Sequence, residues 1–296
     1  MMRIGYECGG HWGEFIIEKL LSIRFPNEKI EVVDNGDCDI VIKSHFNGFK
    51  CWVKNKKPYI YWSGESHSVK EKINHTNYIE LVSYIENTEF SYYVPFCIFG
   101  LYHRIYVDNI YNFRRIFTNI DRKYDVAYCC SNHVGIREKI FISLAEKLKE
   151  CHSLGNCNGG LRNTRRKIDE NNIDKCWSSV KLIEKYSEYN FVIAMENRMH
   201  PGYVTEKIAN AFLSGAIPIY YGDNIIKDFF NENAFIYVPD FTTLEDCANK
   251  ISNMTKNDIH DMMQQPIFNI KNGKINEMID LDSEYYRNIS TKIPTN

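Results

Sequence analysis

The sequence predicts an α/β protein made of two halves, each with a mostly parallel sheet. Three observations carry that prediction. Short β-rich runs alternate with helix-patterned runs along most of the chain. Two runs in the second half, Phe191–Met195 and Ile217–Tyr221, are apolar throughout, as strands buried on both faces are. The helix between them repeats apolar residues at Ile208, Ala211, Phe212 and Gly215, and Ala209 and Leu213 extend the apolar surface around it. At 296 residues the chain is long enough for two domains with separate cores.

Taken in order, Arg3–Tyr6 reads as a strand, followed by a glycine-bearing turn from Cys8 to Gly13 and a helix from Glu14 to about Arg24. Ile30–Val33, Ile40–Ser44 and Pro58–Trp62 are further strands. A second set begins near Asp121. Tyr124–Cys130 is a strand ending in Ser131-Asn132-His133, and Arg137–Glu150 is an amphipathic helix with Ile140, Leu144 and Leu148 at helical spacing. A Gly-rich turn, Asn156 to Gly160, and a polar segment to about Ser187 lead into the apolar strands already named. The boundary falls between Tyr106 and Asp121. The expected domains are 1–112 and 120–270, with 271–296 as a C-terminal extension. Two halves of this kind place a ligand in the cleft between them.

Composition removes several function classes. The net charge of −2 supplies no field to recruit nucleic acid or anionic lipid. The chain opens without a basic and apolar leader, and its longest uncharged run, Ile208 to Gly222, is too short for a membrane span and carries Pro218. Ten cysteines occur without a C-x-x-C, which points to free thiols in a reducing cytoplasm and away from a zinc site. No G-x-x-x-x-G-K-[ST] is present, so an ATPase is disfavoured. Asp37-Cys38-Asp39 spells the D-x-D of metal-dependent glycosyltransferases, but it precedes a strand of the first half, where turn chemistry accounts for it. His200 before Pro201 reads as a loop histidine.

The entrance to the buried helix carries Thr205-Glu206-Lys207. In a parallel βαβ unit that helix end lies at the carboxyl edge of the sheet, where ligands bind. A lysine in the first turn opposes the helix dipole by roughly 0.3–1 kcal/mol. A bound diphosphate would reverse the sign, because backbone N–H groups, dipole and ammonium would face one anion. Glu206 could then accept from ribose hydroxyls. A plain surface Glu–Lys pair is the other reading, and geometry alone leaves both open.

Phe191 to Asn197, then Gly202-Tyr203-Val204-Thr205-Glu206-Lys207, then Gly215 to Gly222 together resemble the signature of the α1,3/4-fucosyltransferases. Ser131-Asn132 with Arg137, Gly159 to Thr164, and Tyr61-Trp62-Ser63-Gly64-Glu65-Ser66 are similar to further segments of that family, with Trp12-Gly13 a weaker likeness. The likeness is strongest from about Asp125 to Asp240. It implies the GT-B architecture, two Rossmann-like domains facing a central cleft. It also implies an acceptor-binding first domain, a donor-binding second domain, GDP-fucose as donor and an oligosaccharide or glycoconjugate acceptor.

The resemblance assigns roles to residues. Glu65 is the base that deprotonates the acceptor hydroxyl, since an inverting transfer needs one where a glycosidase needs two carboxylates. Arg137 and Lys207 grip the diphosphate. Glu206 holds the ribose, and Asn197 and Tyr203 contact donor sugar or phosphate. Each has a bland counterpart: a solvated turn glutamate, a surface arginine, structural turn residues. No metal site and no cofactor are expected, a divalent ion being at most stimulatory. The reading is an inverting transferase moving fucose to a glycan hydroxyl, as an α1,3 linkage to GlcNAc or glucose. The protein is expected to be cytoplasmic, without an integral membrane segment. A transferase for another sugar nucleotide, or a non-catalytic glycan-binding protein, would share the fold.

Overall fold

A computed structural model describes residues 1–6, 14–33, 37–44, 57–65, 77–86, 88–98, 101, 122–161, 180–269 and 274–295. The chain forms two compact units. The first comprises residues 1–103, 200–205 and 273–296, and the second 104–199 and 206–272.

The first unit is built on a six-stranded sheet. Its strands are β1 (Met2–Tyr6), β2 (Ile30–Val32), β3 (Ile40–Ser44), β4 (Tyr59–Ser63), β5 (Tyr78–Val82) and β6 (Ser91–Tyr93). The order is β2-β1-β3-β4-β5-β6 and every pairing is parallel. The central strands β3 and β4 are buried at each position, which explains their mostly apolar and aromatic character, with Lys43, Ser44 and Ser63 buried at their carboxyl ends. Helix α1 (Glu14–Arg24) buries Ile16, Ile17, Leu20 and Leu21, the i, i+1, i+4, i+5 stripe of an amphipathic helix. Glu80 interrupts the apolar pattern of β5, and β6 is only 3 residues long, so neither has a strong local signal.

Asp39 of the D-x-D is a structural residue. It accepts from the Arg3 backbone N–H at 2.8 Å and from the Arg3 guanidinium at 3.1 Å. The guanidinium holds the Asp39 carboxyl below the usual range.

Residues 274–295, which the sequence places in a C-terminal extension, group with this unit. Helices α8 (Lys274–Ile279) and α9 (Glu284–Ser290) bury Ile275, Tyr286 and Ile289, and α9 packs on α1. Lys19 pairs with Asp282 at 2.6 Å. Tyr286 donates to the Met278 carbonyl at 2.8 Å, and Tyr285 donates to the Tyr93 carbonyl. The charges at 274–296 masked an apolar periodicity strong enough to pack both helices.

Residues 200–205 also belong to the first unit. The Ile85 N–H donates to the Pro201 carbonyl at 2.8 Å, and the Cys97 N–H to that of Val204 at 2.9 Å. Tyr93 donates its hydroxyl to the Gly202 carbonyl at 2.7 Å. Gly202 has φ +76°, and a Cβ there would lie 2.9 Å from the Ile85 backbone nitrogen.

The second unit has a five-stranded sheet. Its strands are β7 (Tyr124–Tyr128), β8 (Cys151–Ser153), β9 (Tyr189–Ile193), β10 (Ile217–Tyr220) and β11 (Ile236–Tyr237), in the order β11-β10-β9-β7-β8 and all parallel. Helices α2 (Gly135–Ala145), α3 (Val180–Tyr186), α4 (Glu206–Leu213), α5 (Ile226–Phe229), α6 (Leu244–Ser252) and α7 (Lys256–Gln264) accompany it. Helix α2 ends five residues before the expected Glu150, because residues 151–153 are needed as a strand beside β7. Thr243 and Thr255 start α6 and α7 with reciprocal capping boxes to Asp246 and Asp258.

Arg122 ties three of these elements together. It donates to the carbonyls of Ser187 and Tyr189, both at 2.8 Å, and of Ser214 at 3.1 Å. Burial pulls its pKa down to about 10, so it stays cationic at neutral pH.

The strap at 200–205 gives a stability test. Gly202→Ala is expected to destabilise the full chain by at least about 1–2 kcal/mol, the cost of a side chain in left-handed backbone, with the clash at Ile85 added. Chemical denaturation followed by fluorescence checks this; an unchanged midpoint would show that residues 200–205 re-form without strain.

Candidate active site

The strand order of the second sheet reverses between β7 and β9, since β8 is added on one side of β7 while β9, β10 and β11 extend the other way. In open parallel sheets this switch point leaves a crevice at the carboxyl ends of the strands, where ligands bind. A cavity of about 180 Å³ lies there. Its wall includes Tyr128 and Cys129 to Asn132 after β7, Met195 and Asn197 after β9, and Glu206, Lys207 and Asn210 on α4. Both strands end two residues earlier than the sequence suggests, at Tyr128 and Ile193, and the residues released from the ladder form the rim.

Arg137 is in the first turn of α2 and only 3% exposed. Its Nη2 donates to Asn197 Oδ1 at 2.6 Å and its Nη1 to Cys130 Sγ at 3.0 Å. Its Nε–H is buried and has no hydrogen-bond partner within the protein. A guanidinium presents five donors in a planar fork. The two named bonds fix the fork's orientation and leave donors for a ligand. Asn197 therefore holds Arg137 through its oxygen and itself lines the cavity.

Lys207 lies on α4 with its ammonium 3.3 Å from Glu206 Oε1 and 3.5 Å from Glu196 Oε2. Burial lowers its proton affinity and the two carboxylates raise it; the net shift is upward. The ammonium is thus a lasting positive charge. Glu206 is largely buried, on the first turn of α4, where the helix dipole favours an acid. The cluster brings two cations, Arg137 and Lys207, together with two carboxylates, Glu196 and Glu206. It is suited to an anion placed against the unmet guanidinium donors and to hydroxyl groups placed against Glu206.

The structure therefore gathers Arg137, Asn197, Glu206 and Lys207 around one cavity. Tyr203 packs with Val82 and Tyr84 in the first unit and is 3% exposed.

Glu65 follows β4 at the carboxyl edge of the first sheet and is partly exposed. Its N–H donates to Ser63 Oγ at 3.3 Å. A Cβ at the preceding Gly64 would lie 2.8 Å from the Phe96 ring, which also packs against Trp62, so the turn that presents Glu65 has room only for glycine. Ser66, Trp12 and Arg162 to Thr164, which also carried the family likeness, lie outside the described residues.

Sequence reasoning missed Asn210, Glu138 and the placement of Glu196. Asn210 is buried at 4% among the apolar residues Ile208 to Leu213 of α4, and that anomaly was the available signal. Glu138 accepts from Tyr128 Oη at 2.5 Å and from the Gly159 N–H, so it fastens the Gly-rich turn to the end of β7. Burial and that bond hold the Tyr128 phenol protonated. No group of three or more potential metal ligands occurs among the described residues, and no helix there is long and apolar enough to cross a membrane. The seven described cysteines are free thiols.

Glu138 is open to a direct test. Glu138→Ala leaves the Gly159 N–H and the Tyr128 hydroxyl without their acceptor, and each such loss costs about 1–3 kcal/mol. Urea unfolding of the full chain is expected to shift accordingly; a change under about 0.5 kcal/mol would mean that solvent replaces the carboxylate.

Comparison with known proteins adds the following. Residues 121–263 match the family model described as glycosyltransferase family 10 (fucosyltransferase) C-term. A putative fucosyltransferase of Acanthamoeba polyphaga mimivirus is 35% identical over 132 residues, 43% of this chain and 21% of that protein. An alpha-(1,3)-fucosyltransferase of Helicobacter pylori is 34% identical over 111 residues, 37% of this chain and 22% of that protein. The matched stretches thus span about a fifth of these relatives' length. A crystal structure of an alpha1,3-fucosyltransferase superposes with a TM-score of 0.65 at 18% identity, covering 96% of this chain and 91% of that one. Crystal structures of alpha1,3-fucosyltransferase with GDP and with GDP-fucose give 0.63 and 0.61. These likenesses establish the fold, two parallel α/β units of the GT-B class.

Proposed function

We propose that the chain is an inverting glycosyltransferase that moves fucose from GDP-fucose to a hydroxyl of an oligosaccharide or glycoconjugate, a reading supported by the match of residues 121–263 to the family model described as glycosyltransferase family 10 (fucosyltransferase) C-term. The linkage in this reading is α1,3, to GlcNAc or glucose. The observation that carries the proposal is the buried Arg137 guanidinium, oriented by Asn197 and Cys130, with an Nε–H donor left for a ligand at the switch point. The names of the relatives support fucose and the α1,3 linkage, and the complexes of the structural neighbours support GDP-fucose as donor.

In this reading the diphosphate lies against Arg137 and Lys207, and the ribose hydroxyls donate to Glu206. The acceptor oxygen attacks the anomeric carbon while Glu65 takes its proton. The bond from that carbon to the diphosphate oxygen breaks, and GDP leaves with the electron pair. Arg137 and Lys207 answer the charge that grows on the leaving group. They supply the charge compensation that a metal supplies in D-x-D enzymes, so transfer should persist in the presence of a chelator. Asn197 orients Arg137 at the cavity wall, and Tyr203, held by packing on Val82 and Tyr84, is kept in this reading as a contact to donor sugar or phosphate. A cytoplasmic setting belongs to the same reading; free thiols such as the buried Cys97 and Cys151 are consistent with it.

Arg137→Ala and Lys207→Ala are each expected to weaken GDP binding by roughly 1.5–3 kcal/mol, the worth of a charge-assisted hydrogen bond. Titration calorimetry reads this directly, and unchanged affinity in both variants would place the diphosphate elsewhere. Glu65→Gln keeps the side chain's shape but cannot accept a proton. Transfer should fall by roughly 10²–10⁴-fold, with GDP affinity nearly unchanged. Near wild-type transfer by this variant would assign the base to another carboxylate.

A further inference from the structure

Glu196 is fully buried, yet it carries a carboxylate at the exit of β9, between Met195 and Asn197, which both line the cavity. Its N–H donates to the Tyr221 carbonyl at 2.8 Å, which extends the β9–β10 ladder and fixes the backbone. Oε1 accepts from the Tyr220 hydroxyl at 3.4 Å, and Oε2 lies 3.5 Å from the Lys207 ammonium. A carboxylate out of water costs several kcal/mol unless it is paired, so its position needs a compensating partner. Lys207 has the converse problem. It is a cation in the first turn of a helix, where the dipole disfavours it, and it is partly desolvated.

We propose that Glu196 is a positioning residue for the donor: it keeps the Lys207 ammonium protonated and held at the cavity wall. The proposal rests on the reading of Lys207 as a ligand of the donor diphosphate. The two acids beside Lys207 differ in kind. Glu206 lies on the same helical turn and lines the cavity, so a ligand can reach it. Glu196 exposes nothing to solvent, and its oxygens face the Tyr220 hydroxyl and the Lys207 ammonium. That arrangement suits a fixed counter-charge and excludes Glu196 as a base for an incoming acceptor.

Glu206 on α4 and Glu196 after β9 attract the Lys207 ammonium, and Arg137 on α2 repels it. Tyr186 on α3 and the thiols of Cys129 and Cys130 after β7 line the same cavity, and burial holds the Tyr186 phenol neutral. Asn197 and Asn210 carry no charge. Burial lowers the proton affinity of Lys207, and Glu206 and Glu196 together more than offset it. A lysine whose folded pKa is raised keeps its charge until pH climbs through that raised value. Without Glu196 the charge should be lost at lower pH.

Two measurements on the full chain test this. Competitive acetylation by acetic anhydride across a pH series, read by peptide mass spectrometry, titrates each lysine without reference to activity. Wild-type Lys207 should titrate above the ordinary 10.5. In Glu196→Gln, which retains the hydrogen bond to Tyr220, the Lys207 midpoint should drop by at least one pH unit, with the other lysines unmoved. Calorimetry with GDP at pH 7 and pH 9.5 should then show at least fivefold more affinity lost between the two conditions in Glu196→Gln than in wild type. Adding Lys207→Arg should flatten that profile again, because a guanidinium does not titrate there. An identical Lys207 midpoint in the two proteins overturns the proposal. So does a wild-type Lys207 midpoint at or below the ordinary value, which requires no variant to fold. A shifted midpoint with no GDP binding by any form would leave Glu196 as the holder of Lys207 and remove the donor reading instead.

Discussion

A guanidinium taken out of water at the end of a parallel strand constrains the second unit. Arg137 is 3% exposed, and an unpaired buried cation costs several kcal/mol. The fold meets that cost with Asn197 Oδ1 at 2.6 Å and Cys130 Sγ at 3.0 Å, each presented by a loop that begins where a strand stops. These contacts require β7 and β9 to be neighbours with their carboxyl ends level. The parallel pairing of Val126 with Phe191 and Ala127 with Val192 provides that. A lysine could not take the place of Arg137, because a point charge has no planar fork to hold in one orientation while donors remain for a ligand.

The same edge carries the second cation and both carboxylates. Glu138, one residue beyond Arg137, ties β7 to the Gly-rich turn. Glu196, one residue before Asn197, pairs with Lys207. Each cation-handling residue thus has a buried acid next to it in sequence, facing another part of the structure. Preorganisation of this type sets the electrostatics before a ligand arrives, and it is this that makes fixed dipoles and charges effective in a dry site. Arg122, at the opposite ends of β9 and α4, fixes where those elements begin and stop by capping three carbonyls.

The first unit is stabilised by segments distant in sequence. Residues 200–205 and 274–295 both pack in it, the first through backbone bonds to Ile85 and Cys97 and the second through the apolar faces of α8 and α9. The stretch His200 to Lys207 accordingly contains two kinds of residue. Tyr203 serves packing in the first unit, and Glu206 and Lys207 serve the cavity of the second. A run of residues that looks uniform as a signature is divided by the fold between two duties.

The sequence by itself determined the strands and helices whose patterning is local. Continuous apolar runs identified β9 and β10, β-rich runs identified β3 and β4, and the repeat of Ile208, Ala211 and Phe212 identified α4, because burial on both faces or on one stripe leaves its mark within a few residues. It also named Arg137, Asn197, Glu206 and Lys207, which the fold brings to one cavity. Only the tertiary structure decided who pairs with whom. Arg137 and Asn197 are 60 positions apart, Arg3 and Asp39 are 36 apart, and Tyr203 meets Tyr84 across more than a hundred residues. Nothing local distinguishes a glutamate that will be buried against a lysine, as Glu196 is, from one that will stay in water. That depends on which strand ends the crossovers bring together, and the crossovers are set by the packing of whole elements.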